Sequence, residues 1–261
     1  MKTCDFDVVA LGELLIDFTE SGLSPQGNPI LEANPGGAPC NLLAMLTRLG
    51  RRTAFLGKVG DDSFGRMLRQ RVADVGVDVS GLRTDPEIPT TLAFVHTLPG
   101  GEREFSFYRK PGADQMLRTE ELDLDKLSKA KVFHFGTLST TDEPSRSATY
   151  TALSFAKERG CLLSFDPNLR LPLWKRKEDA RRQIAYGLAH CDILKISDNE
   201  IQFMTGETNI EVGVRQLLDR YPIALVLATM GREGSKAFYR GRVVSAPACL
   251  TPHTIESTGA G

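Results

Sequence analysis

The chain has 261 residues, 41% of them hydrophobic and 25% charged. At that length folding buries roughly three-quarters of the surface an unfolded chain exposes, enough for one large domain with a substantial core. Lys plus Arg number 32 against 33 Asp plus Glu, so no overall field points to nucleic acid or an acidic membrane, and a phosphate ligand has to be held by local chemistry.

Phe6-Asp7-Val8-Val9-Ala10-Leu11-Gly12 is short, apolar and closed by glycine, the pattern of a buried first strand. Glu13 and Asp17 follow it. An acid past a strand's C-terminal end sits where open α/β sheets bind ligands, although a turn cap accounts for Asp17 equally well. Residues 19–34 are polar and punctuated by Gly and Pro, so they read as neither a helix nor a core strand. Asn34-Pro35-Gly36-Gly37-Ala38-Pro39-Cys40-Asn41 then leads into Leu42-Leu43-Ala44-Met45-Leu46 and Gly50, a glycine hinge entering a helix with a glycine stop. Asn41 there is either a helix cap or a ligand group. The paired glycines favour a place where backbone and ligand meet, or where a hinge flexes.

Ala54–Gly60 forms another strand, and Asp61-Asp62-Ser63 offers a cap for a helix running to Val75. That reading of the two acids is structural rather than metal-binding. Thr90–Leu98 and Arg103–Lys110 flank Pro99-Gly100-Gly101-Glu102 as a hairpin. Its second arm sets Arg103, Phe105, Phe107 and Arg109 on one face, suited either to cover a polar ligand or to pair with another subunit. From residue 131, strands at 131–135, 161–165, 192–196 and 223–228 alternate with helices near 144–159, 178–189 and 211–220. Such alternation predicts a parallel sheet with helices on both faces. Polar clusters follow these strands: Asp166–Arg170, Ser197–Glu200 and Thr229–Gly234. Together with Asp17 on one sheet edge they describe a cleft. A last hairpin turns at Gly241, and Ser257-Thr258-Gly259-Ala260-Gly261 closes the chain. A lone G-A-G reads as a turn, or as N–H groups converging on an anion.

Five cysteines (Cys4, Cys40, Cys161, Cys191, Cys249), odd in number and without C-x-x-C spacing, fit a reducing cytoplasmic compartment. No apolar run suits a signal peptide or a membrane span. His96, His134, His190 and His253 are scattered and read as ordinary histidines rather than a metal cluster.

With Gly36-Gly37-Ala38-Pro39-Cys40-Asn41 near one end, Ser257–Gly261 at the other, and Gly57-Lys58-Val59-Gly60-Asp61-Asp62 and Thr229–Gly234 between, the chain resembles the ribokinase-like (phosphofructokinase-B type) sugar kinases. Phe105–Arg109, Gly112-Ala113-Asp114 and Phe165–Arg170 look most like the bacterial fructokinases within that family. The resemblance implies a single three-layer α/β/α sandwich over residues 1–261, with a mainly parallel central sheet and a small β-sheet lid from about 18–34 and 88–112. It implies ATP-dependent phosphorylation of a ketose hydroxyl, with fructose expected. The same scaffold also serves 2-keto-3-deoxygluconate kinases or a non-catalytic sugar-binding protein.

Residue by residue, the resemblance gives Asp17, Gly36, Gly37, Asn41 and Arg109 to the sugar, and Arg170 to the transferred phosphoryl group or an acidic end of the substrate. Ser197, Thr229, Gly231 and Gly234 go to the nucleotide, Glu200 to the surroundings of Mg2+, and Gly259, Ala260 and Gly261 to an anion hole. ATP and magnesium are the expected ligands, beside the sugar. Neither nucleic acid nor membrane is an expected partner, and the lid strands are expected to pair two copies into a homodimer. Ser197 stands where the family's N-x-x-E element has Asn. Glu256 stands where an Asp helps hold a monovalent cation, which leaves K+ open. The family's catalytic Asp follows the second glycine of G-A-G, so the chain is expected to be C-terminally incomplete.

Overall fold

The computed structural model describes residues 4–97 and 103–249. The chain opens with β1 (Phe6–Leu11), β2 (Leu15–Leu23), β3 (Pro29–Gly36) and α1 (Ala38–Arg48). It continues through β4 (Thr53–Gly60), α2 (Ser63–Asp74), β5 (Leu82–Asp85), β6 (Leu92–Thr97) and β7 (Arg103–Tyr108). A short α3 (Leu124–Ser128) precedes β8 (Ala130–Gly136), α4 (Ser145–Glu158), β9 (Leu162–Asp166) and α5 (Lys177–His190). Then come β10 (Ile193–Ser197), α6 (Asp198–Thr205), α7 (Ile210–Arg220), β11 (Leu225–Thr229), β12 (Ser235–Tyr239) and β13 (Arg242–Ala246).

Among the described residues the main sheet runs β13-β12-β11-β10-β9-β8-β1-β4-β5. The ladders from β11 through β5 are parallel, and β12 and β13 add an antiparallel edge. Strands covered on both faces should be apolar on both, and Val9, Ala10 and Leu11 of β1 are indeed fully buried. One face stacks Phe133, Phe135 and Phe165, with the Phe135 and Phe165 rings 4.8 Å apart. Ala148 and Leu153 of α4, Ile184 and Leu188 of α5, and Val214 and Leu217 of α7 close over them. The other face packs Ala10 and Phe55 against Cys40 and Leu43 of α1 and Leu68 and Val72 of α2. The strand order reverses direction at β1, which β4 and β8 flank. A topological switch of this kind opens a crevice at the C-terminal ends of the strands.

A second sheet, β3-β2-β6-β7, forms the lid. Residues 19–34, which are neither a helix nor a core strand, form most of a hairpin of this lid, with a bulge between Glu20 and Gly22. The strands were hard to see because their outer halves face solvent on both sides, so no hydrophobic alternation marks them. The base of β2 is rooted through buried Leu15 and Ile16, and β6 through buried Ala93 and Val95. Phe18 anchors the sheet by stacking on Phe94 at 5.0 Å and meeting Phe64 edge-on at 5.6 Å. Asp62 caps α2 through Gly65 N–H at 2.7 Å and also accepts from Thr90 N–H at 2.7 Å and its hydroxyl at 2.9 Å. The structural reading of that acid holds, with the added function of fixing the lid's root.

Candidate active site

Asp17 lies within β2, between Asn34 of β3 and Ala93 of β6, so it is not a turn cap. Its carboxylate overhangs Gly36: a methyl group there would lie 2.2 Å from Asp17 Oδ2. Gly37 follows with φ 118°, a conformation that L side chains rarely adopt, and a methyl group on it would lie 2.3 Å from the Glu13 carbonyl oxygen. Gly37 is the N-cap of α1, but it has no side chain to cap with. Asn41 sits one turn into the helix, its N–H bonded to Gly37 O at 3.0 Å. Its exposed side chain makes no hydrogen bond to a described residue, so the capping alternative does not hold.

Arg109 is 5% exposed just past β7. It grips Asp114 through Nε at 2.8 Å and Nη2 at 2.6 Å, Thr141 Oγ1 through Nη1 at 2.9 Å, and the Leu138 carbonyl through Nη2 at 2.9 Å. Asp114 also accepts from Thr91 Oγ1 at 2.5 Å. Of the guanidinium's N–H groups, a single Nη1 proton is left over. Sequence reasoning picked out Asp114 only as part of a resemblance. Its partnership with Arg109 is made within the turn after β7, and the loop after β8 adds Thr141 and the Leu138 carbonyl to the same guanidinium.

At the far side of the switch point, Asp166 ends β9 and pairs with Lys195 at 3.2 Å. Arg170 is half-buried, donates to the Leu169 carbonyl at 3.2 Å, and lies 5.5 Å over the Phe105 ring of the lid. Glu200 is buried at the start of α6, where its oxygens accept Leu169 N–H at 2.7 Å and Ser197 N–H at 2.8 Å. Ser197 Oγ returns the capping box by accepting Glu200 N–H at 3.3 Å. Burial, with Asp166 nearby, raises the Glu200 carboxyl above its ordinary range. Thr229 ends β11 beside Ser197, and Gly231 (φ 52°) and Gly234 (φ 95°) shape the turn after it. That turn borders an open cleft of about 730 Å³, lined by Asn209, Met230, Glu233, Lys236 and Ala246 among others. The sequence-assigned Gly259, Ala260 and Gly261, and Glu256, lie outside the described residues.

Among the described residues no cluster of His, Cys, Asp and Glu stands ready to hold a metal ion, and no helix is long and apolar enough to cross a membrane. The edge as a whole offers a carboxylate, an amide and close-approaching backbone at one end of the crevice, and a cleft beside a glycine turn at the other.

Fold and edge together define the ribokinase-like class of α/β proteins. The chain belongs to the pfkB family of carbohydrate kinases, which it matches over residues 5–261, and it is thus a phosphotransferase acting on a sugar. It is 44% identical over 259 residues to the probable fructokinase-4 of Arabidopsis thaliana, covering 97% of this chain and 78% of that protein. Against fructokinase-2 of Solanum lycopersicum it is 43% identical over 256 residues, again covering 97% and 78%. Its fold matches a double mutant of Vibrio cholerae O395 fructokinase, in fructose, ADP and potassium ion bound form, with TM-score 0.88 at 33% identity, covering 98% and 80%. The Xylella fastidiosa fructokinase with bound ATP matches with TM-score 0.83 at 30% identity, covering 93% and 78%. The likeness to fructokinases therefore extends to plant as well as bacterial ones.

Proposed function

We propose that this chain phosphorylates a primary hydroxyl of fructose with ATP. The observation that carries the reading is the Asp17 carboxylate seated over Gly36, with the unpaired side chain of Asn41 on the adjoining helix. A carboxylate and an amide can together accept from and donate to neighbouring hydroxyls of one sugar. Arg109, held by Asp114, has one proton left for a sugar oxygen. Arg170 approaches the transferred phosphoryl group from beneath Phe105. Phosphoryl transfer asks chiefly for alignment and charge neutralisation, and the lid keeps water from competing for the phosphoryl group.

Thr229, Gly231 and Gly234 receive the nucleotide, whose base and ribose have room in the adjoining cleft. Ser197 contributes its hydroxyl proton, since its oxygen is committed to the helix cap. Gly259, Ala260 and Gly261 are assigned to the anion hole on the resemblance alone. Magnesium enters with the nucleotide, held mainly by phosphates and waters, and serves to neutralise phosphate charge. Glu200 fits only an outer role there, because both its oxygens already accept backbone N–H groups. The five free thiols suit a reducing, cytoplasmic setting.

Calorimetric titration with fructose and with 2-keto-3-deoxygluconate tests the substrate, together with phosphorylation assays on both. Fructose should bind more tightly and be turned over; tighter binding of the acidic sugar overturns the assignment. We also propose a homodimer through the lid. Leu23, Ile30, Leu31 and Tyr108 expose apolar surface there (70%, 45%, 39% and 68%), and two lids paired about a two-fold axis would cover it. Light scattering should give twice the chain mass; a monomer at tens of micromolar counts against it.

A further inference from the structure

Helix α1 begins without a local cap. Its N-cap is Gly37, its first turn holds no acidic residue, and Pro39 brings no N–H. The exposed start of a helix ordinarily needs its free N–H groups satisfied. Here the acceptor comes from a distant part of the chain: Glu13 Oε1 accepts the Ala38 N–H at 2.8 Å. Glu13 lies in the link between β1 and β2 and is 3% exposed. Its carbonyl oxygen abuts Gly37, and a methyl group on neighbouring Gly12 would lie 2.6 Å from Pro39 Cγ. One short segment, 13–17, thereby grips the Gly36-Gly37-Ala38 hinge at one end and carries Asp17 at the other.

We infer that Glu13 is a positioning residue for sugar binding: as a cap in trans it sets the angle at which α1 presents Asn41 to Asp17. Its carboxylate is buried and accepts the Ala38 N–H, so it acts through the hinge. A carboxylate at a helix start is also favoured by the helix dipole. The inference rests on the assignment of Asp17 and Asn41 to the sugar.

The test uses the full chain and its Glu13→Ala, Glu13→Gln and Glu13→Asp variants, titrated separately with fructose and with ADP and followed by thermal melting. Loss of the cap leaves the half-buried Ala38 N–H without its acceptor, so Glu13→Ala should weaken fructose binding about tenfold or more and leave ADP affinity within about twofold. Glu13→Gln keeps an acceptor oxygen at the same reach and should recover most of the fructose affinity. Glu13→Asp keeps the charge but is one methylene short, and should bind fructose less well than Glu13→Gln. If Glu13→Ala does not fold, the Gln and Asp variants decide the matter by that ranking. Fructose and ADP affinities falling together, in step with melting temperature, would mean a merely structural residue and overturn the inference. Wild-type protein that binds no fructose overturns the substrate reading and this inference with it. Wild-type protein that binds fructose no better than Glu13→Ala overturns this inference alone.

Discussion

The Asp17 carboxylate and the Cα of Gly36 are so close that a methyl group on the glycine would lie 2.2 Å from Asp17 Oδ2 and 2.9 Å from Leu15 Cδ1. Gly36 is absent from the positive-φ residues, so the constraint is space and not backbone strain. Gly36→Ala should therefore push the carboxylate aside and weaken fructose binding by about tenfold, while melting changes less. The clash disappears when the carboxylate does. In an Asp17→Ala background the added methyl should cost much less, and calorimetry on the four proteins of this double-mutant cycle measures the coupling.

Asp17→Ala alone removes the acceptor for sugar hydroxyls and should weaken fructose binding by about 1–3 kcal/mol. Its effect on ADP should be small, because the nucleotide turn lies beyond β8, β9 and β10 in the strand order. Equal losses for both ligands, measured by titration, would remove Asp17 from the sugar site.

Arg109 and Asp114 form a buried pair, with side chains 2% and 1% exposed. Truncating one member leaves a desolvated charge behind, so Asp114→Ala should destabilise the fold by about 3–5 kcal/mol in urea unfolding. Arg109→Lys should be nearly as harmful, because an ammonium cannot span Asp114, Thr141 and the Leu138 carbonyl in one planar fork. A lysine variant with wild-type stability would show that the fork geometry is dispensable.

The parallel sheet was legible because its strands are apolar on both faces and glycine or polar clusters end them. The helices at 145–158 and 210–220 start within a residue of the expected places. The β6–β7 hairpin of the lid was legible from its turn residues, whereas the outer halves of β2 and β3 are too exposed to carry a period and were anticipated only through family resemblance. At the site, Asp17 and the glycine pair stood out as residue types in telling positions. Glu13 as the cap of α1 did not, since it joins segments 25 residues apart, and Asp114 as the counterion of Arg109 did not, since the turn between them follows no regular period. Glu200 was legible as the acid of a motif, yet its observed partners are backbone amides that no sequence pattern names.

Two buried titratable groups should give stability opposite slopes with pH. Burial lifts the Glu13 carboxyl from its ordinary 4.5 to about 7, against its hydrogen bonds to backbone N–H groups. The native state then holds a proton that the unfolded state has lost. The stabilisation is complete below pH 4.5 and disappears as pH rises to about 7, a change of roughly 3 kcal/mol. Burial, with Lys195 nearby, lowers His134 from 6.5 to about 4, and its Nδ1 lies 3.0 Å from Ser164 Oγ. Here the unfolded state binds the proton first, so stability is full above pH 6.5 and falls by roughly 3 kcal/mol as pH drops to about 4. Glu200, also raised by burial, adds to the first slope, so differences between variants are more informative than the wild-type curve. Glu13→Gln should gain on wild type as pH rises from 5 to 7. His134→Gln should gain on it as pH falls from 6.5 toward 4, apart from a constant loss of the Ser164 contact. Urea unfolding at about half-unit steps of pH measures both differences. Parallel curves for wild type and Glu13→Gln would mean that this carboxyl titrates normally, and parallel curves for His134→Gln would say the same of the imidazole.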